Sequence, residues 1–513
     1  MRGLVESDAL PPPVAATTPA PPAPPAPPAH SGRELDRSLI RGIAWTGAMR
    51  WATQLLGWAS TLIVARLLAP TDYGLVGMAM VYLGFIHLIN EFGLGAVIVQ
   101  RRDLAAEQIA RLAGFALLLG VAFVALSTLL SGVVADFFGE PTVRWIIPVA
   151  SLAFLTSALQ VVPQGLLTRD LDFRRLAWAD GAEAVVAALA TLLLAALGAS
   201  YWALVLGPLG GRLTSTLLVN IWRPQPIAWP RRFGTISSAV TFGWHLVVSR
   251  LAWYLYSNAD FAIVGRLLGK AALGAYTIGW TLASIPVDRI TALVSSVTPP
   301  VFSAVQHDLP ALQRYLKNLT EALALITFPA AIGIALIADE FVPLVLGPQW
   351  GAAVAPLQLL ALSAALRSVS PLLPQIIVSR GHAKGNMQLT LVTALILPVL
   401  FYFGSRWGTA GVAAAWLVGH PLLVMPLYLG YALRLTGLPL PAYLRSLWPA
   451  AGSTLAMAAV VWAVRLATPD PWRPSVKLAA HVMTGAVVYA VVLYGWHRPR
   501  VRALWTLLRE LRS

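Results

Sequence analysis

Apolar residues along this chain come in long runs separated by short polar or basic breaks. Fourteen runs approach the ~20 residues that an α-helix needs to cross a hydrocarbon core. They lie near 41–66, 75–98, 109–134, 144–167, 176–197, 200–221, 236–263, 273–300, 316–338, 352–378, 386–404, 409–432, 446–466 and 476–495. A lipid-facing backbone must satisfy its own hydrogen bonds, so the runs predict helices. Pro163, Pro286, Pro371 and Pro374 fall inside runs and predict kinks. No interval between runs exceeds about 20 residues, which leaves no room for an extramembrane catalytic domain.

One stretch occurs twice. Ile63-Val64-Ala65-Arg66-Leu67-Leu68 with Gly74 returns as Ile263-Val264-Gly265-Arg266-Leu267-Leu268 with Gly274, an offset of 200. The same offset pairs Arg50 with Arg250, Ala52 with Ala252, Leu55 with Leu255 and Ala59 with Ala259, ten identities over 50–74. Further on, Pro163-Gln164 and Arg169 recur as Pro374-Gln375 and Arg380, now offset by 211. This is an internal duplication. Six runs lie between the copies, an even number, so both halves enter the membrane in the same direction. The expected fold is an all-α integral membrane protein of about 14 transmembrane helices: two parallel six-helix repeats plus two C-terminal helices. The expected divisions are a Pro/Ala-rich, solvated cytoplasmic tail at 1–38, an N-terminal bundle at 39–222 and a C-terminal bundle at 223–434. Two additional helices at 435–496 and an amphipathic basic tail at 497–513 complete the chain.

Composition agrees. Charged residues make up 12% of 513 positions and mean hydropathy is +0.71, against about 25% charged in soluble domains. The chain has no cysteine, which excludes disulfides and thiolate chemistry. The net charge of +15 does not point to nucleic acid, because the basic residues alternate by loop. With both termini placed in the cytoplasm, 24 of the 37 Lys and Arg fall on that side and 8 on the other. This positive-inside bias predicts the orientation. The protein is expected to be a multi-pass membrane protein with both termini in the cytoplasm.

A charge at membrane depth costs at least ~2.5 kcal/mol, so it faces a cavity or a partner. Five arginines sit at that depth: Arg50, Arg212, Arg250, Arg289 and Arg367. Arg50 and Arg250 are repeat equivalents, and the pseudo-two-fold sets them on opposite walls of the space between bundles. Gln54 shares the face of Arg50, and Tyr254 that of Arg250. Two guanidinium groups facing one cleft repel each other unless an anion lies between them, and arginine matches phosphate oxygens with two parallel donors. A phosphate or diphosphate ligand is therefore the reading of this set. The alternative for each arginine is a structural carboxylate, Asp260 or Glu91 for Arg289. Glu91, Asp260 and Asp288 are the candidates for ion coupling, Glu91 lying in a polar stripe with His87 and Asn90. Gln160, Gln164 and Gln375 either line the cleft or join helices. Asp180 and Glu183 fall at an interfacial level. The histidines lack metal-ligand spacing and no catalytic set or cofactor motif is present, so no metal, cofactor or enzymatic activity is expected.

The run Ala65-Arg66-Leu67-Leu68-Ala69-Pro70-Thr71-Asp72-Tyr73-Gly74, continuing through Glu91-Phe92-Gly93-Leu94-Gly95 to Gln100, resembles the signature of the polysaccharide transporter family. Asn258-Ala259-Asp260 through Gly269, Gly274-Ala275-Tyr276 and Pro299-Pro300-Val301-Phe302 resemble it too. These are Wzx-type oligosaccharide-lipid flippases of the multidrug/oligosaccharidyl-lipid/polysaccharide exporter superfamily. The resemblance spans roughly 35–435. It implies a V-shaped pair of six-helix bundles that turns an undecaprenyl-diphosphate-linked oligosaccharide from the inner to the outer leaflet of a bacterial inner membrane for exopolysaccharide, O-antigen or capsule synthesis. It implies a cationic cavity, a role that falls first to Arg50 and Arg250, then to Arg212, Arg289 and Arg367. Expected partners are that lipid-linked oligosaccharide, membrane lipids, a polysaccharide polymerase and a chain-length regulator. The Pro-rich tail lies outside the family pattern. Fourteen spans also suit a peptidoglycan lipid precursor flippase. A multidrug exporter would need an acidic cleft, and a membrane polymerase or ligase a large outer loop.

Overall fold

The computed structural model describes residues 53–90, 104–229, 251–468 and 472–496, with isolated positions besides. All of them belong to one compact unit spanning Met49–Ser513. Arg50, Glu91 and Arg250 fall outside the described residues, as do both expected tails. Every regular element among the described residues is helical. In the first half these are α1 (53–67), α2 (Pro70–Asn90), α3 (Ala106–Phe138), α4 (Val143–Arg169), α5 (Phe173–Ala196) and α6 (Tyr201–Trp222). The second half has α7 (251–257), α8 (Ala259–Ala304), α9 (Leu309–Phe341), α10 (Val354–Arg367), α11 (Leu372–Ser379), α12 (Ala383–Gly404), α13 (Gly408–Gly419) and α14 (Met425–Thr436). Two more, α15 (Leu440–Ala467) and α16 (Pro474–Trp496), close the chain. Eleven segments of the described residues are long and apolar enough to cross a membrane, the longest, Ala383–Thr436, folding back at Ser405–Trp407.

Local chemistry sets the boundaries. Gly139, at φ 70°, ends α3 by directing its N–H to the Ala135 and Asp136 carbonyls. Asp172 and Asp308 cap α5 and α9 by accepting from the backbone N–H groups of Arg175 and Ala311. Gly269, at φ 82°, breaks α8 into two segments, which matches the interval expected between 263 and 273. The prolines act unequally. Pro163 and Pro286 are contained within α4 and α8, whereas the stretch around Pro371 stops the helix and separates α10 from α11.

The two copies of the repeated stretch meet at the end where α1 finishes and α2 begins. A methyl group at Gly74 would lie 1.8 Å from the Lys270 carbonyl oxygen, and one at Gly274 would lie 1.7 Å from that of Pro70. Residues 70 and 270 are repeat equivalents, so the contact is reciprocal and the backbones of α2 and α8 touch. Reciprocity continues outward. Trp350 is fully buried and its Nε1 donates to the Ala65 carbonyl at 2.7 Å, while the Phe138 ring packs against Gly265, the equivalent of Ala65. Around these knobs Gln349 Nε2 donates to the Arg66 carbonyl at 3.3 Å and Arg266 Nη1 to that of Asp136 at 3.3 Å. Lys270 and Glu140 pair at 2.9 Å. Self-complementary contact of this kind is what a two-fold axis generates.

The last two helices dock on α9. Arg465 pairs with Asp339 and, at 3.6 Å, with Glu340, and His481 Nδ1 lies 2.9 Å from Glu340. Tyr489 donates to the Leu325 carbonyl at 2.6 Å.

Candidate functional site

The second half holds an open-sided cavity of about 780 Å³. Its position follows from two interruptions in otherwise apolar spans. One is the break between α10 and α11, where Arg367, Ser368, Ser370 and Pro371 face the space. The other is a wide π-helical turn, His420–Val424, between α13 and α14. Single π turns often mark functional sites, and broken helices inside a membrane are tolerated where they line a cavity. Helices α7, α8 and α12 supply the remaining walls, with Trp253, Trp280 and Asn386 among the side chains.

Arg367 is the centre of the site's charge. Its guanidinium lies over the Trp280 ring at 4.4 Å and the Trp416 ring at 4.9 Å, a cation held between two indoles. Asp260 and Asp288 are near enough to feel that charge. Asp260 is fully buried and accepts three hydrogen bonds: Tyr276 Oη at 2.7 Å, Trp416 Nε1 at 2.7 Å and the Phe261 N–H at 2.9 Å. Trp416 therefore touches the arginine with its face and the carboxylate with its N–H. Such a network neutralises two charges that the membrane would otherwise expel.

The other expected residues separate into different places. Arg212, on α6, donates to Ser157 at 3.0 Å and lies 3.9 Å from Glu183, tying α4, α5 and α6 together within the first half. Gln160 also joins helices, donating to Ser215 at 2.9 Å. The Tyr254 hydroxyl sits against α2, with the carbonyls of Met80 at 3.3 Å and Val81 at 3.1 Å, so it bridges the halves. Arg289 is exposed on α8 and Gln54 half-buried on α1. Asp260 partners Tyr276, Trp416 and Arg367 rather than Arg289. Among the expected residues that are described, Arg367 and Asp288 line the cavity. Sequence reasoning did not name Trp280, Trp416 or Asn386, and it set His420 aside with the other histidines for lack of metal-ligand spacing. The signals were present: His420-Pro421 interrupts an apolar run, and Asn386 is a polar residue at the start of another.

A duplicated helical bundle with a polar cavity walled by interrupted helices is the build of a membrane transporter. The chain belongs to the polysaccharide biosynthesis protein family, whose family model matches residues 63–355. Among curated relatives, it is 25% identical over 426 residues to the lipopolysaccharide biosynthesis protein WzxC of Escherichia coli K12, covering 81% of this chain and 85% of that protein. It is 26% identical over 472 residues to the teichuronic acid biosynthesis protein TuaB of Bacillus subtilis 168, covering 90% and 96%. Among solved structures, lipid II flippase MurJ in an inward closed conformation superposes with a TM-score of 0.71 at 13% identity, over 89% of this chain and 100% of that one. That likeness establishes the shared fold.

Proposed function

We propose that this protein is a flippase that carries a polyprenyl-diphosphate-linked oligosaccharide across a bacterial plasma membrane for polysaccharide synthesis, by alternating access. The observation that carries the reading is the polar cavity between interrupted helices in a chain of the polysaccharide biosynthesis family. Relatives named for lipopolysaccharide and teichuronic acid biosynthesis support the substrate class. The positive-inside bias supports cytoplasmic termini. In that orientation the reciprocal Gly74–Gly274 contact closes the outward-facing end, and the headgroup enters from the cytoplasm.

Arg50 and Arg250 bind the diphosphate in this scheme, from equivalent positions in the two halves. Arg289 is an exposed accessory on the path, and Arg212 braces the first bundle. Glu91 and Asp288 remain the candidates for ion coupling. Asp260 is occupied by three donors, which makes it an anchor of the cavity wall. A polymerase and a chain-length regulator are the proposed partners that consume the product.

The test uses purified full-length protein in liposomes containing a fluorescent undecaprenyl-diphosphate oligosaccharide. Expected is time-dependent movement of the label to the leaflet shielded from an impermeant quencher, with no new glycosidic bond. Arg50→Ala and Arg250→Ala are each expected to abolish transfer while the protein still inserts. Absence of transfer by inserted wild-type protein overturns the reading, and bond formation replaces it with an enzyme.

A further inference from the structure

The cavity of the second half has more hydrogen-bonding capacity than the protein itself uses. Thr291 Oγ1, Arg367 Nε, Ser370 Oγ, Asn386 Oδ1 and His420 Nδ1 are buried without a hydrogen-bond partner, and all five residues line this one space. They come from four segments: α8, the α10–α11 break, α12 and the turn after α13. No single local distortion accounts for all of them. An unpaired buried polar group costs about 1–3 kcal/mol. In this state the five atoms are turned away from the open space, and a rotation of the Ser or Thr hydroxyl, or a flip of the Asn386 amide or the His420 ring, presents them to an occupant.

Size and charge narrow the occupant. About 780 Å³ falls within the roughly 300–1,000 Å³ typical of small-molecule sites. The lining includes six aromatic rings, those of Trp253, Tyr256, Phe261, Trp280, Trp416 and Tyr428. Water satisfies polar atoms but gains nothing from aromatic faces. Among the described residues Arg367 is the one Lys or Arg side chain in the lining, and it already answers Asp260 and Asp288. A diphosphate would bring further negative charge against those two carboxylates. A free cation would meet the guanidinium. What fits is an uncharged ligand with hydroxyls that both donate and accept, and with C–H faces that lie flat on aromatic rings. Those are the properties of a pyranose ring.

We infer that the cavity is a glycan subsite, which receives an uncharged sugar ring of the lipid-linked oligosaccharide. The inference rests on the flippase reading above. It adds that the sugar and the diphosphate are held in different places, the sugar inside the second half and the diphosphate at the paired arginines. Asn386, Ser370 and His420 then choose between repeat units by the hydroxyls they meet. A site that leaves polar groups unpaired with the wrong sugar discriminates strongly.

The test measures intrinsic tryptophan fluorescence of the full-length protein in nanodiscs. The probes are the lipid-free repeat-unit oligosaccharide of the host polysaccharide, inorganic diphosphate and sodium chloride. Expected is a saturable change with the oligosaccharide, weakened about tenfold or more by Asn386→Leu and by Ser370→Ala, with the diphosphate response unaltered. The same variants should slow transfer of the lipid-linked oligosaccharide in liposomes. Ser370→Ala removes one small hydroxyl and keeps the test valid if Asn386→Leu unfolds. No saturable response to the oligosaccharide overturns the subsite, as does sodium chloride reproducing the response, or equal affinity in both variants. Normal transfer with unaltered variants defeats the subsite and leaves the flippase standing, whereas no transfer by wild type defeats the flippase reading itself.

Discussion

Asp260 accepts from three donors, and Arg367 stands between two indoles beside it. Replacing Asp260 with Asn turns one acceptor into a donor that faces other donors, and strips Arg367 of a neighbouring negative charge. Breaking a buried charge network on one side costs about 3–5 kcal/mol. Asp260→Asn should therefore lower the melting temperature of the purified protein in detergent; an unchanged melting temperature would remove the anchoring role. Arg367→Lys keeps the charge but loses the flat face that both indoles contact. Its expected cost is about 1–2 kcal/mol, read in the same melting experiment. The double variant Asp260→Asn/Arg367→Gln should cost less than the sum of its single variants, because neither charge is left unanswered. At this scale the sequence announced each charge by its depth in an apolar run. It did not announce the partners, because Trp280, Arg367 and Trp416 lie on three different helices and come together only through packing. That is why Arg289 was the expected neighbour of Asp260 and Arg367 is the observed one.

Helices were the most legible level of the fold. Apolar length alone placed α3 to α6 and α16 within four residues of their ends, since the bilayer imposes that length on any spanning segment, whereas α9 and α15 begin seven and six residues before the expected 316 and 446. The interruptions were harder to read. Proline signals a disturbance but not its kind, and Pro371 ends a helix where Pro286 sits inside one. The repeated stretch was legible as a duplication, while its physical role was not. In the structure Gly74 and Gly274 let two backbones meet, and the small residues 65 and 265 receive Trp350 and Phe138. An alanine at either glycine must push α2 from α8, at about 1–3 kcal/mol. That shifts the population toward forms parted at this end, roughly tenfold per 1.4 kcal/mol. Gly74→Ala and Gly274→Ala should thus raise the alkylation rate of a cysteine placed at Thr277 by about tenfold or more, both in the same direction. A rise in only one of them would contradict the reciprocity of the contact.

At the scale of the whole molecule, contacts between the halves run from the Lys270–Glu140 pair at one end to Tyr254 against α2. In the proposed orientation, transport by alternating access requires the outer part of this seam to come apart once per cycle. A contact that must open cannot be held by a large desolvated charge network, and a partly exposed ion pair contributes only about 0–1 kcal/mol. The Lys270–Glu140 pair, with side chains 39% and 19% exposed, suits a reversible closure. The chain contains no cysteine, so introduced thiols are the only ones present. Glu140→Cys with Lys270→Cys, joined by a short bis-thiosulfonate, should stop leaflet transfer in liposomes, and a reducing agent should restore it. Each single variant should retain transfer after the same treatment, because losing one weak pair leaves the glycine and aromatic contacts in place. Undiminished transfer by the fully cross-linked protein would mean that this end never opens, and that the substrate leaves by another route.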